Sequence, residues 1–173
     1  MSQDTSFPFQ KAARYEFAVQ QYEAAFERGF YLEAITLCES MISDRLLSSL
    51  DHRLGVEREE RRGLFSLIQA HRHEELLDTD ARALGESTIN VFTRIDEWRK
   101  ARNGLLHGFA KCIPGEEVCS SEALKDRARA AAEEGMLLFR MLDNWHRREV
   151  AAVRRHARGR EAAAHEAPAS RAA

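Results

Sequence analysis

The residues best suited to chemistry fall in one short run, Arg102-Asn103-Gly104-Leu105-Leu106-His107-Gly108. Arg102 shares a helical face with Val91, Ile95, Trp98, Leu105 and Phe109, so its guanidinium occupies a packing stripe. That is costly unless the group meets an anion, an aromatic face or an interface groove. Asn103 and His107 are four apart and face the same way on a helix. Imidazole exchanges a proton near neutral pH, so the run offers an anion-binding cation and an acid–base group. Arg102 and His107, however, are five apart, about 140° round an undistorted helix. Either Gly104 and Gly108 loosen the helix end, or two copies of the helix meet across a symmetry axis and pool these side chains.

A second irregularity is Glu39, four residues after Ile35 and three before Ile42, in the centre of another apolar stripe. A carboxylate placed there requires a buried partner. Other polar residues carry less. Cys38 falls in an apolar helical pattern, where a small buried thiol is ordinary. Cys112 and Cys119 flank Pro114-Gly115 at a spacing that matches no zinc pattern, and a reducing cytosol argues against a bridge, so both read as free thiols. His71 and His73 alternate in a polar helix end and are too few for a metal site.

Five amphipathic helices position these residues. Tyr15, Ala18, Val19, Tyr22, Ala25 and Phe26 recur at three- and four-residue intervals over 11–28, and Gly29 ends that helix. A second helix runs from about 30 to 50, and so short a link forces an antiparallel hairpin. The polar stretch 51–62 leads to a shorter third helix with Leu64, Phe65, Leu67, Ile68 and His71. After a loop over 77–87, Glu86-Ser87-Thr88 caps and opens a fourth helix, and this helix carries the chemical run. A connection over 110–121 precedes a long fifth helix over 121–146. The expected fold is all-α, a four- to five-helix up-down bundle over residues 9–146, with residues 147–173 an Ala/Arg-rich helical extension and tail whose last ~15 residues are mobile.

In this helical order, an Arg, a polar residue, three further residues and a His late in the bundle resemble the HEPN superfamily (higher eukaryotes and prokaryotes nucleotide-binding domain). The approach Ile95-Asp96-Glu97-Trp98-Arg99-Lys100-Ala101 and the earlier segment Tyr31-Leu32-Glu33-Ala34-Ile35 leading to Glu39 share the likeness, which covers roughly 12–146. The resemblance implies a metal-independent endoribonuclease acting as a homodimer, with both copies of the motif lining one cleft. It also implies a place in toxin–antitoxin, phage-defence or RNA-processing systems, with an antitoxin or other regulatory protein as a partner. The alternative within the family is a catalytically inactive module for nucleotide binding or protein–protein interaction.

On that reading His107 removes the proton of a 2′-hydroxyl or donates one to the leaving 5′-oxygen, and Arg102 holds the scissile phosphate. Asn103 orients the His or donates to phosphate, Glu39 holds Arg102 in place, and Arg99 and Lys100 are further RNA contacts. The products would carry a 2′,3′-cyclic phosphate and a free 5′-hydroxyl, which makes RNA and not DNA the substrate. No metal or cofactor is required. One subset of the family has Tyr two residues after the His, where its hydroxyl accepts nucleotides; Phe109 stands there in this chain, so that modification is chemically closed.

Composition agrees with this picture and narrows it. The chain of 173 residues has 31% charged residues and no run approaching the ~20 apolar residues of a spanning helix. Its first fifteen residues contain no apolar run of the secretory kind, and a cytoplasmic location is expected. The net charge is −2, but residues 147–173 hold seven Arg and three Glu, +4, which leaves −6 on the first 146. Such a body has no general attraction for nucleic acid, so an anion site must be local. The Arg-rich stretch 147–160 lacks interleaved aromatics and reads as a solvated helix end. Trp98 and Phe109, at packing-stripe spacing, are expected in the core or at a dimer interface.

Overall fold

A computed structural model describes residues 6–54, 63–77, 86–110 and 120–166. These form α1 (Ser6–Glu27), α2 (Tyr31–Leu54), α3 (Leu64–Leu77), α4 (Glu86–Ala110) and α5 (Ser121–Glu166), with no strand among the described residues. α1 starts five residues before the apolar pattern does, and Pro8 is accommodated because a first helical turn has no use for its missing N–H. At its other end Gly29 adopts φ +77°, and the amides of Gly29 and Phe30 donate to the carbonyls of Phe26 and Ala25 at 3.0 and 2.8 Å. This is a Schellman stop, which needs a residue free of Cβ strain in the left-handed region. α2 runs on to Leu54, since no Gly or Pro interrupts the chain before Gly55. At the start of α5 the Ser120 hydroxyl caps the helix by accepting from the Ala123 amide at 3.2 Å.

Side-chain pairs fix the helix directions. Tyr15 bonds Asp44 and Lys11 pairs with the same carboxylate at 2.9 Å, so α1 and α2 are antiparallel, as their short link requires. Trp98 meets Ala131 and Arg94 meets Glu134, which makes α4 and α5 antiparallel too. Cys38 lies by Ala132 and Arg45 by Asp143, so α2 and α5 run parallel. Arg99 sits over Phe65 and His71 stacks on Phe92, which sets α3 against α4. With Glu39 on Arg102 and His71 on Leu46, α3 runs in the same direction as α2. The expected strict up-down alternation therefore fails at this step. Nine residues separate α2 from α3, a length that can span ~30 Å, whereas only a short link forces reversal.

The core is continuous, with Ile35, Ile42 and Leu46 of α2 facing Phe92, Ile95 and Leu105 of α4 and Leu138 and Leu142 of α5. Trp98 belongs to it, and its indole N–H donates to the Ala131 carbonyl at 2.7 Å. Tyr22 donates to the next carbonyl, Ala132, at 3.1 Å, and burial pushes its phenol up to about 12. α5 approaches so closely because residue 135 is glycine: a Cβ there would lie 2.8 Å from the Trp98 ring and 3.0 Å from the Cys38 Cβ. Gly135→Ala gains about 1 kcal/mol of helix propensity but should still lower stability by about 1–2 kcal/mol net, the usual scale of overpacking. Urea unfolding measures this directly.

Another sequence expectation changes. His71 is not in a polar helix end but fully buried, its Nε2 3.0 Å from the Leu46 carbonyl oxygen and its ring stacked on Phe92. α5 continues past 146 to Glu166, as the expected helical extension requires; Ala, Arg and Glu are strong helix formers whether or not they are packed. At 46 residues and about 1.5 Å rise each, α5 is nearly twice as long as the 24-residue α2. Cys112, Cys119 and residues 167–173 lie outside the described residues. No helix among those described is long and apolar enough to cross a membrane.

Candidate functional site

Arg102 leaves the inner face of α4 and forms an ion pair with Glu39 of α2. Its side chain is 12% exposed, the carboxylate 31%. Its Cζ also lies 6.0 Å from the centre of the Trp98 ring. The misplaced guanidinium of the sequence thus finds both an anion and an aromatic face, which offsets its loss of water. Its Nε is buried without a hydrogen-bond acceptor, so one donor remains unused. Glu39 is not at the centre of the α2 stripe as expected but at its edge, half-buried, while Cys38, Met41 and Ile42 fill the core. A half-buried carboxylate needs less compensation than a fully buried one.

α4 is uninterrupted helix through Ala110, so Gly104 and Gly108 do not loosen it. Arg102 is turned against α2, whereas His107 is exposed in the last turn of α4 and Asn103 is half-buried one turn earlier. With ~140° between Arg102 and His107, one chain does not converge them on a single phosphate. Of the two routes open in the sequence, the one through a loosened helix end is closed. The stripe expectation divides: Trp98 is core, but Phe109 is 45% exposed. Phe109 and Phe30 line one groove beside the α1–α2 turn, and Leu106, next to His107, is also exposed.

Arg99 and Lys100 are held by a residue the sequence reading passed over. Asp96, with only 6% of its side chain exposed, accepts from Arg99 at 2.9–3.0 Å and pairs with Lys100 at 2.9 Å and Arg72 at 4.0 Å. Burial alone would raise its carboxyl, but the bonds from Lys100 and Arg99 outweigh it and hold the group below the usual carboxylate range. The spacings to Arg99 and Lys100, three and four on one helix, were legible in advance. Arg72 comes from α3 and was not.

Asp96→Asn should therefore lose about 2 kcal/mol at pH 7, because three cations keep their positions without their acid. A depressed carboxyl stabilises the fold above the unfolded value near 3.9, and that contribution disappears as pH falls through the lower folded value. Urea titrations should show wild type and variant far apart at pH 7 and converging below about pH 4.

A second polar cluster, also missed, joins α1, α2 and α5 at the other end of the bundle. Tyr15 donates to Asp44, its ring stacks on Phe139 at 5.7 Å, and the Arg45 guanidinium lies 4.3 Å from its centre. Arg45 pairs with Asp143, which also holds Arg147 at 2.8 Å. Burial and the Asp44 bond raise the Tyr15 phenol well above its ordinary value. The acids here are already matched to neighbouring cations, and the cluster fixes the α1–α2 hairpin to α5. Cys38 is inert for a related reason, burial pushing its thiol up to about 12. No group of three or more His, Cys, Asp or Glu converges as a metal site among the described residues. No family model, no curated protein and no solved structure matches the chain.

Proposed function

We propose that this protein is a HEPN-type endoribonuclease, a toxin or phage-defence effector that cleaves RNA in a composite cleft between two copies of the chain. The observation that carries the reading is the Glu39–Arg102 ion pair. It joins α2 to α4 and holds the guanidinium in one place, five residues before an exposed His107. Positioned arginine and mobile-proton imidazole are the two elements that attack by a 2′-hydroxyl needs: one neutralises charge growing on phosphate oxygens, the other moves the proton. Because α4 stays helical, the His that completes each site comes from the partner copy. Exposed Leu106, Phe109 and Phe30 beside the motif supply apolar surface for that contact.

RNA incubated with the protein in a chelator should yield fragments ending in 2′,3′-cyclic phosphate and beginning with a 5′-hydroxyl. Intact RNA under these conditions, or fragments with 5′-phosphate ends, would overturn the reading. The second reading, an inactive module that binds nucleotide or protein, draws on the same exposed apolar residues and on the engagement of Arg102 by Glu39. It predicts the same dimer with no cleavage.

A further inference from the structure

Resting on that reading and extending it, we infer that the α3–α4 face beside the motif is a single-stranded RNA platform, in which Phe65 stacks one base and Arg72, Arg99 and Lys100 hold the neighbouring phosphates. Arg72, Arg99 and Lys100 share the single carboxylate of Asp96, so these four groups sum to +2. On a body whose first 146 residues sum to −6, this excess is a focused anion site and not part of a general basic surface.

Phe65 is 52% exposed at the start of α3. The Arg99 guanidinium lies 4.9 Å from the ring centre, and Asp96 fixes that guanidinium at its other side. Ring and cation are therefore already ordered before any ligand arrives, which lowers the entropy lost on binding. An ordered, half-open aromatic ring beside shared cations is what recognition of an unpaired base requires, since every base has a face to stack while a duplex conceals it.

The platform is in line with the chemistry. Arg99, Asn103 and His107 follow one another at four-residue intervals along α4, the last two nearer the helix end. Eight residues of helix rise about 12 Å, a distance a short oligonucleotide spans. A strand stacked on Phe65 and held by Arg99 thus lies along the same side of α4 as Asn103 and His107, and the platform sets which stretch of RNA reaches the cleft.

The test is binding of a fluorescein-labelled 2′-O-methyl oligouridylate, read by anisotropy; this strand lacks the attacking hydroxyl and stays intact whether or not the protein cuts RNA. Phe65→Ala should bind about tenfold more weakly, the scale of one lost base stack, while Phe65→Tyr retains wild-type affinity. Arg72→Ala should flatten the dependence of log affinity on log salt by ~0.7, one phosphate contact on a single strand. Arg129→Ala, on α5, should bind as wild type does. Thermal melting of each variant checks that the half-exposed ring is not needed for folding. Equal binding by wild type, Phe65→Ala and Arg72→Ala overturns the inference, as does tighter binding of a blunt RNA duplex that Phe65→Ala leaves unaltered. Phe65-dependent binding by a protein that cuts no RNA leaves the platform standing and removes the ribonuclease reading. Cleavage with Phe65-independent binding does the reverse.

Discussion

His107→Ala should lower RNA cleavage by about 10²- to 10⁴-fold, the usual contribution of a positioned acid–base group. Its melting temperature should remain close to that of wild type, because the imidazole is exposed and truncation of such a side chain changes stability by about 0.5 kcal/mol or less. The separation of the two readouts is what makes the variant informative: a structural histidine would move stability and leave rate alone. The composite cleft adds a sharper expectation. A mixture of Arg102→Ala and His107→Ala chains, each inactive alone, should regain part of the activity, since a mixed dimer contains one intact Arg and one intact His. If every site were built within one chain, mixing would restore nothing. Equal cleavage by wild type and His107→Ala removes the proposal altogether.

Glu39→Gln should lose about 2 kcal/mol of stability, because it leaves the Arg102 charge nearly buried with its acid replaced by an amide. It should also slow cleavage by about tenfold, as the guanidinium is freed to leave its orientation. Removing both charges has a different outcome. Arg102 lies on a packing stripe between Trp98 and Leu105, and methionine fills that volume without needing an anion. Glu39→Leu combined with Arg102→Met should therefore recover most or all of the lost stability, since a buried ion pair is often replaced by apolar residues at no net loss. The same double variant should cut no RNA. Unfolding free energies and initial rates on the two single variants and the double complete the cycle. Recovery of both stability and cleavage would show that the pair serves only to hold α2 against α4.

The patterns readable along the chain were those set by local geometry. Apolar residues at three- and four-residue spacing marked all five helices, and the three-residue link at Arg28–Phe30 forced the α1–α2 hairpin. Arg102 and Glu39 were conspicuous for the same reason, each a charge where the period called for an apolar side chain. Burying either without a partner is unfavourable, and the fold pairs them with each other. Helix ends were less well read. α1 begins at Ser6 and α2 reaches Leu54, because high helix propensity carries a helix past the residues of its apolar pattern.

Other features were settled only by tertiary packing. The parallel course of α2 and α3 depends on a connection long enough to permit either direction, so no local rule decides it. His71 became a core residue because Leu46 supplies its hydrogen-bond partner and Phe92 its stacking partner, both distant in sequence. Arg72 joined Asp96, and Phe65 joined Arg99, only when α3 was laid against α4. The motif itself shows the division clearly. Its residue types and spacing, with Arg102 and His107 on different sides of one helix, were fixed by the sequence alone. That α4 stays helical across Gly104 and Gly108, turning Arg102 inward to Glu39 and His107 outward, was decided by the packing of Trp98 and Leu105, because a helix anchored by buried side chains on one face has no reason to unwind at its glycines.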